Sequence, residues 1–359
     1  MSEVAVKSGI ATKGYAAMKP GGTLVPWEFA RREPGPHDVL MDVAYCGICH
    51  SDVHQVKDEW SEGIFPMVPG HEVAGQVLRV GEKVTRFKSG DLVGVGCMVN
   101  SCRTCRGCRE GLENYCENHL AVTYNGTEMD EVTPTYGGYS KLLVVDEAFA
   151  LHLPANLDLA RTAPLLCAGI TTYSPLRHWK VGKGQRVGIV GLGGLGHMGV
   201  QFARAFGAEV FVFSTSDHKT ADARRLGAHE VVNTRKEGAL EALKGTFDFI
   251  LSTVSSGYSL GSYIELLKRD ATMVVVGLPP ANQPPAVDLM ALVSKRRTLA
   301  GSMIGGIAET QEMLDFCGQH NLQSDIELMP IDQVNTAYER LLKSDVRYRF
   351  VIDLKTLPT

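Results

Sequence analysis

The sequence predicts an α/β chain in which a doubly wound parallel sheet is joined to a separate β-rich domain. Three observations carry this reading. Past Arg186 short apolar strands alternate with helical stretches, the pattern of a sheet with helices on both faces. The first of those strands and the first helix are joined by Gly191-x-Gly193-x-x-Gly196, a turn suited to a pyrophosphate. Before about residue 155 the apolar runs are short and broken by Gly, Pro and Asp, which suits an irregular barrel-like domain.

In the first part, Val39-Leu-Met-Asp-Val-Ala, Val73-Ala-Gly-Gln-Val-Leu-Arg-Val and Asp91-Leu-Val-Gly-Val read as strands. Cys97 to Cys116 has little apolar periodicity and reads as a lobe or loop. Arg186-Val-Gly-Ile-Val then opens the second part as a strand. Gly194 to Phe206 reads as a helix with small and apolar residues on one face, Glu209-Val-Phe-Val-Phe as a strand, and Asp217 to Leu226 as a helix. Glu230-Val-Val-Asn, Phe247-Asp-Phe-Ile-Leu-Ser and Thr272-Met-Val-Val-Val-Gly supply further strands. The tail, from about residue 301, holds a helix (Glu309 to His320) and a last strand, Arg349-Phe-Val-Ile-Asp. We expect the tail to return to the first domain. Residues 1–158 and 301–359 would then form one domain, with the cysteine lobe at 97–120, around a Rossmann dinucleotide-binding domain at 159–300.

A chain of 359 residues suits about two domains. The hydrophobic fraction of 44% and charged fraction of 21% are those of a globular protein. A formal net charge of −4 without a basic run points away from nucleic acid or an anionic membrane as partner. No apolar stretch reaches the roughly 18 residues of a membrane span. Met1 to Gly14 lacks the apolar core and cleavage site of a signal peptide. Nine cysteines, an odd number clustered in metal-like spacings, fit a reducing compartment better than a disulfide framework, so we expect a cytoplasmic protein.

The strongest local signal is Cys102-x2-Cys105-x2-Cys108-x7-Cys116. Four thiolates this close can surround one tetrahedral zinc and leave no open position, which makes the site structural. Four unrelated cysteines or a zinc-ribbon nucleic-acid module are weaker alternatives, since the chain also carries a complete cofactor motif. Cys97 is spare and is expected to be a small buried apolar residue. A second signal is dispersed: Cys46-Gly-Ile-Cys49-His50-Ser51-Asp52, then Val68-Pro-Gly-His71-Glu72, then Leu165-Leu-Cys167. A catalytic zinc takes about three protein ligands and keeps one open position, and Cys and His from separated loops suit it. Each residue alone is more often structural, and spacing does not choose between Cys46 and Cys49.

The glycine motif, Gly191-Leu192-Gly193-Gly194-Leu195-Gly196, follows a strand and opens a helix, the context that lets a backbone approach a pyrophosphate at the helix N-terminus. The next strand ends Phe213-Ser214-Thr215-Ser216-Asp217-His218-Lys219. An acid at Ser214 would hold the ribose hydroxyls of NAD and repel a 2′-phosphate. Here the hydroxyls of Ser214, Thr215 and Ser216 can donate, and Lys219 supplies charge, so NADP(H) is the expected cofactor. A plain polar turn capping a helix is the alternative, since Ser is a favoured N-cap.

These residues together resemble the zinc-containing medium-chain alcohol dehydrogenases, and within them the cinnamyl-alcohol-dehydrogenase-like branch of NADP-dependent aldehyde reductases. The resemblance spans essentially the whole chain. It rests on Gly47-Ile-Cys49-His50-Ser51-Asp52, Val68-Pro-Gly-His71-Glu72, the four-cysteine lobe, Leu166-Cys167-Ala-Gly-Ile-Thr171-Thr-Tyr, Gly191-Leu-Gly-Gly-Leu-Gly196, the Ser-Thr-Ser turn and Tyr348-Arg349-Phe350-Val351. It implies a GroES-like catalytic domain and two zinc ions per subunit. It also implies Cys49, His71 and Cys167 as ligands of the catalytic ion, Glu72 as an intermittent ligand, and Asp52 orienting His71. Zinc acts in this family as a Lewis acid on the substrate oxygen while the nicotinamide gives or takes hydride. The proton passes through Ser51 toward His54, expected near the surface, with Glu59 at the end of the relay.

By the same resemblance Thr171 touches the nicotinamide, Arg349 the phosphate side of the cofactor, and backbone near Thr253, Gly277 and Ser302 to Ile304 surrounds the ring. His50 stands where the better-known NAD enzymes have Arg, which implies a weaker contact with pyrophosphate. Trp60, Leu120, Met303 and Ile304 are expected to line the substrate pocket, although Trp60 equally suits core packing. Aliphatic Leu120 speaks against strict cinnamyl specificity and for a broad range of aromatic and medium-chain aldehydes. The competing readings are an NAD-dependent polyol or formaldehyde dehydrogenase, for which an acid at Ser214 is missing, and a non-enzymatic zinc protein, for which the shell and relay are too complete. A homodimer paired through edge strands near residues 272–304 is the expected assembly, with a tetramer as the alternative.

Overall fold

The computed structural model describes residues 9–60, 62–255, 259–279 and 285–358. It divides into two units: one runs to Cys167 and resumes at Gly305, and the other spans Ala168–Ile304.

Up to Cys167 the strands are β1 (Ile10–Ala17), β2 (Leu24–Arg31), β3 (Asp38–Ile48), β4 (Val73–Val80), β5 (Leu92–Val95), β6 (Met98–Ser101), β7 (Leu120–Val122), β8 (Leu142–Asp146) and β9 (Leu151–His152). Three short helices interrupt them: α1 (His50–Val56), α2 (Arg106–Arg109) and α3 (Leu159–Thr162). The second unit runs α4 (Ala168–His178), β10 (Arg186–Val190), α5 (Gly196–Ala205), β11 (Glu209–Ser214), α6 (Thr220–Leu226), β12 (Glu230–Asn233), β13 (Phe247–Ser252), α7 (Leu260–Ile264), β14 (Leu267–Val275), α8 (Leu289–Val293) and β15 (Thr298–Gly301). The tail adds α9 (Ile307–His320), β16 (Ile326–Pro330), α10 (Val334–Leu342) and β17 (Arg349–Asp353).

In the first unit β3 is the hub. It pairs antiparallel with β4, with β8 and with β17, the last by the register Phe350↔Ile48 and Val351↔Gly47. The sheet order is β16-β17-β3-β4-β5-β9, with β8 also on β3. A strand with partners on both edges and packing on both faces reads as a near-continuous apolar run, which is why Val39, Leu40, Met41, Val43, Cys46 and Ile48 are all buried. β17 delivers the tail to this sheet, which makes the unit discontinuous.

The second unit has sheet order β12-β11-β10-β13-β14-β15 with every pair parallel. Counted within the sheet this is 3-2-1-4-5-6, the dinucleotide-binding order, with the switch point at the carboxyl end of β10. Its core is Val190, Phe211, Phe213, Val232, Phe247, Ile250, Leu267 and Met273. β14 begins at Leu267, five residues before the expected Thr272, because Lys268, Arg269 and Asp270 are exposed and hide the strand in a polar run. The expected helix at Asp217 splits into a 3₁₀ turn, Asp217–Lys219, followed by α6.

The division falls after Cys167, later than the expected 158/159. α3 and the 3₁₀ turn Ala163–Leu166 pack on β3, β4 and β17 of the first unit, with Ala163, Leu165 and Leu166 buried. The second boundary follows β15, which completes the nucleotide sheet. No helix among the described residues is long and apolar enough to cross a membrane.

The glycine turn shows why its spacing is demanded. Gly191 has φ 90°, a left-handed conformation that side chains rarely adopt. A Cβ at Gly196 would collide with the Gly191 carbonyl oxygen, whereas a Cβ at Gly193 would meet nothing within 4 Å among the described residues. Gly196→Ala should therefore lower stability by about 2 kcal/mol, an overpacking cost, read as a lower denaturant midpoint. An unchanged midpoint would mean that the turn relaxes freely.

Candidate active site

The cysteine lobe is shaped by backbone amides that point at sulfur. Cys105 N–H donates to the Cys102 sulfur at 3.4 Å, and Cys108 N–H to the Cys105 sulfur at 3.5 Å, where Cys105 caps α2. Glu117 N–H and the Asn118 side-chain amide donate to Cys105 and Cys102 at 3.4 and 3.3 Å. Such donors favour the thiolate, and the amides of Thr104 and Cys105 hold the Cys102 thiol down to about 5. The sulfurs of Cys102 and Cys108 are 3.9 Å apart and those of Cys105 and Cys116 are 4.0 Å apart. A tetrahedral zinc with bonds of about 2.3 Å has sulfur–sulfur edges of about 3.8 Å, while a disulfide needs about 2.05 Å. All nine cysteines are free, and the four in the lobe fit a closed zinc shell.

The second group is assembled from three loops. Cys49 stands between β3 and α1, His71 just before β4, and Cys167 at the end of the 3₁₀ turn Ala163–Leu166. One donor atom each of Cys49, His71, Glu72 and Cys167 lie within 4.8 Å of one another, and the two sulfurs are 3.9 Å apart, again a zinc edge. Asp52 organises them. Its Oδ2 accepts from Cys49 N–H at 2.8 Å, and its Oδ1 accepts from Gly70 N–H and from His71 Nδ1, both at 3.1 Å. With Nδ1–H committed to a carboxylate, His71 offers the Nε2 lone pair to a metal. The contact with the Cys167 sulfur, with Arg349 and His71 behind it, pulls the Cys49 thiol well below its ordinary value against the effect of burial. Together these donors fit a zinc with two thiolates and a neutral imidazole.

Cys46, the alternative left open by spacing, faces elsewhere: its sulfur packs against Gly70 and Gly138, and burial pushes its thiol up. Glu72 is fully buried. Its Oε1 is paired with Arg349, and Oε2 lies against Gly47 without a hydrogen-bond partner among the described residues. A side chain at Gly47 would strike this oxygen. Arg349, 2% exposed, is placed here by β17 beside β3. Burial opposes its charge most strongly, but Glu72 and the Cys49 and Cys167 sulfurs together outweigh it and raise the guanidinium.

Ser51 and His54 are three residues apart on α1 and share a face. The Ser51 hydroxyl is 3.6 Å from the Cys49 sulfur. His54 was expected near the surface and is instead 7% exposed. Its ring is stacked on Trp60 at 4.7 Å, and Nδ1 meets Glu59 Oε2 at 2.5 Å, which leaves Nε2 buried without a partner among the described residues. Trp60 is thus packed on the histidine, with its own indole N–H also unpartnered among the described residues. His50 lies half-buried, and burial lowers its imidazole below the ordinary value. Cys97 also departs from expectation. It is half-exposed, and its sulfur lies beside Cys167 because the turn after β5 crosses the Leu166 carbonyl. Leu120 opens β7 half-buried, and Met303 is 48% exposed.

In the nucleotide unit Gly191 to Gly196 bridge β10 and α5, with Leu192 buried and Gly194 and Leu195 at the turn. Thr253 Oγ1 donates to the Val190 carbonyl at 2.8 Å beneath the turn, and Gly277 packs so closely on Thr253 and Val254 that a Cβ would clash. Lys219 Nζ donates to the Leu192 carbonyl at 2.9 Å, which brings the end of β11 to the glycine loop. Ser214 is buried and its hydroxyl donates to the Ser216 carbonyl at 3.0 Å; Thr215 is exposed and Ser216 half-exposed. Thr171 is buried on α4, Ser302 N–H donates to the Val275 carbonyl at 3.3 Å, and Ile304 has φ 42°. Sequence reasoning missed Tyr124, whose ring stacks on His71 at 5.8 Å, and Tyr139, which donates to Asp52. Neither lies in a spaced motif.

Metal analysis of the intact chain should give two zinc ions. Cys108→Ser should remove one and lower the melting temperature, and Cys49→Ser should remove the other with less effect on melting. A single ion in the unaltered chain contradicts the two-group reading.

The family models for the alcohol dehydrogenase GroES-like domain and for zinc-binding dehydrogenase match residues 35–155 and 194–319. The chain is 53% identical to aldehyde reductase YahK of Escherichia coli, over 97% of this chain and 98% of the relative. It is also 53% identical to NADP-dependent alcohol dehydrogenase C of Mycobacterium bovis, over 96% and 98%. The solved cinnamyl alcohol dehydrogenase SbCAD4 of Sorghum bicolor superposes with a TM-score of 0.93 at 46% identity, covering 96% of this chain and 98% of that one. The chain therefore belongs to the zinc-containing medium-chain alcohol dehydrogenases, in their cinnamyl-alcohol-dehydrogenase-like branch.

Proposed function

We propose that the protein is a zinc-dependent alcohol dehydrogenase and aldehyde reductase linked to NADP(H), with a broad range of aromatic and medium-chain aldehydes. The observation that carries this reading is the grouping of Cys49, His71 and Cys167, with His71 held by Asp52, in a chain with a complete nucleotide sheet. Cys49, His71 and Cys167 would hold the catalytic zinc, with Glu72 as an intermittent ligand that Arg349 holds back. Cys102, Cys105, Cys108 and Cys116 would hold the structural ion. When bound, zinc supplies Lewis-acid polarisation of the substrate oxygen, and the nicotinamide supplies or accepts the hydride.

The chain's own residues do the rest. Gly193 leaves its backbone open to a pyrophosphate, and Gly191 to Gly196 shape the turn around it. Ser214, Thr215, Ser216 and Lys219 would take the 2′-phosphate, since no acid stands at Ser214 to repel it. Thr171, Thr253, Gly277, Ser302 and Ile304 would border the ring, and His50 and Arg349 the phosphate side. Ser51 carries the proton between substrate oxygen and His54, whose Nε2 is the ring nitrogen left free by Glu59. Trp60, Leu120 and Met303 would bound the substrate's tail. We infer a cytoplasmic homodimer: the thiols are free, β15 is an edge strand, and Leu289, Met290 and Val293 of α8 are exposed apolar side chains near it in sequence.

The test compares NADPH and NADH oxidation with benzaldehyde before and after complete chelation. Preference for NADPH and loss of activity on chelation are expected; a preference for NADH, or activity without zinc, overturns the reading. Ser214→Asp should shift the preference toward NADH by about tenfold, roughly 1.4 kcal/mol. No shift would mean that the turn does not read the phosphate. Ser51→Ala should lower kcat by about 10²-fold or more with zinc content unchanged, as expected for loss of a proton carrier.

A further inference from the structure

We infer that Tyr139 is a positioning residue for the catalytic metal, acting through the Asp52 carboxylate on the His71 ring. The inference rests on the metal reading of Cys49, His71 and Cys167. Tyr139 is fully buried, and its hydroxyl donates to Asp52 Oδ2 at 3.2 Å. Each oxygen of Asp52 then accepts two donors: Cys49 N–H and Tyr139 O–H on Oδ2, Gly70 N–H and His71 Nδ1–H on Oδ1. That fills about four acceptor positions, the capacity of a carboxylate. With all of them occupied, the carboxylate has no freedom to rotate, and the imidazole it holds inherits its orientation.

The tyrosine is itself fixed from two sides. Its segment is laced to the loop that leads to His71, with Gly137 N–H on the Val68 carbonyl at 2.7 Å, Gly138 N–H on Gly70 at 2.9 Å and Tyr139 N–H on Pro69 at 3.0 Å. Its ring lies so close to Gly70 that a Cβ there would come within 2.7 Å of Cδ1. On the other side the buried Arg31 guanidinium donates to the carbonyls of Tyr136, Gly137 and Leu142 and to the Ser140 hydroxyl. A phenylalanine would fill the same apolar space, so the hydroxyl adds something other than packing. Burial, with Asp52 behind it, holds the phenol well above its ordinary value, which keeps it a donor.

The test uses the full zinc-loaded chain and the Tyr139→Phe, Asp52→Asn and doubly substituted chains. Release of both ions to 4-(2-pyridylazo)resorcinol is followed over time, and the visible spectrum is recorded after cobalt replaces the catalytic ion. In Tyr139→Phe one ion should leave about tenfold faster while the other leaves at the unaltered rate, and the cobalt bands should shift. In the Asp52→Asn background the same substitution should add nothing, because the link it breaks is already broken. Unaltered release and spectrum in Tyr139→Phe overturn the proposal. So does a further full acceleration in the Asp52→Asn background, or faster loss of both ions together, which marks a general loss of stability. A single zinc ion in the unaltered chain fails the metal reading itself, and is distinguished from the other outcomes before any variant is made.

Discussion

One buried carboxylate holds the metal-binding half of this chain together. Asp52 is taken wholly out of water, a costly place for a charge unless it is fully hydrogen-bonded. Its partners come from three stretches far apart in sequence: the start of α1, the loop before β4 and the loop before β8. None of those stretches has a regular ladder to fix it. The carboxylate supplies what the sheet does not, a common anchor, and the sheet supplies the frame: β3 leads into α1, and β4 starts two residues after His71.

The two donor groups are built to opposite ends from nearly the same atoms. In the lobe three of the four cysteines are half-exposed and Cys108 is buried, and the Cys102 and Cys105 sulfurs are answered by amide hydrogens of the local chain. In the other group the surroundings are buried and the balancing charge is a side chain, Arg349. A closed shell of sulfur is inert, whereas a buried shell with only three strong donors leaves a position that chemistry can use. Glu72 sits at this boundary, since one of its oxygens belongs to Arg349 and the other to no partner among the described residues.

Much of this was legible in the sequence, and the illegible part has a consistent cause. β10, β13 and β17 begin where apolar runs begin, because a parallel or central strand buried on both faces writes itself as a solid apolar word. The four-cysteine lobe and the glycine turn were equally plain, since metal geometry and steric exclusion at Gly196 restrict residue type at fixed spacing. The choice of Cys49 over Cys46 was not, because both are cysteines at a strand end and only the direction of the side chain separates them. His54 looked like a surface residue because nothing local announces that Trp60 will stack on it. Tyr139, Tyr124 and Arg31 were invisible for a related reason. Their roles depend on partners up to 111 residues away, and an isolated tyrosine or arginine carries no spacing to read.

The placement of β17 bears on how the protein is made. Its neighbour in the sheet is β3, separated from it by about three hundred residues of chain, whereas the nucleotide unit is one uninterrupted stretch. On a ribosome the nucleotide unit is free to close as soon as its last strand emerges. The unit that begins first must wait with the Tyr45–Ile48 part of β3 lacking its partner, and with Glu72 lacking its guanidinium, until β17 is released. The unit that carries Cys49, His71 and Cys167 thus closes after the nucleotide unit, and a chain cut before Arg349 leaves a finished nucleotide sheet attached to a unit that lacks β17 and the partner of Glu72.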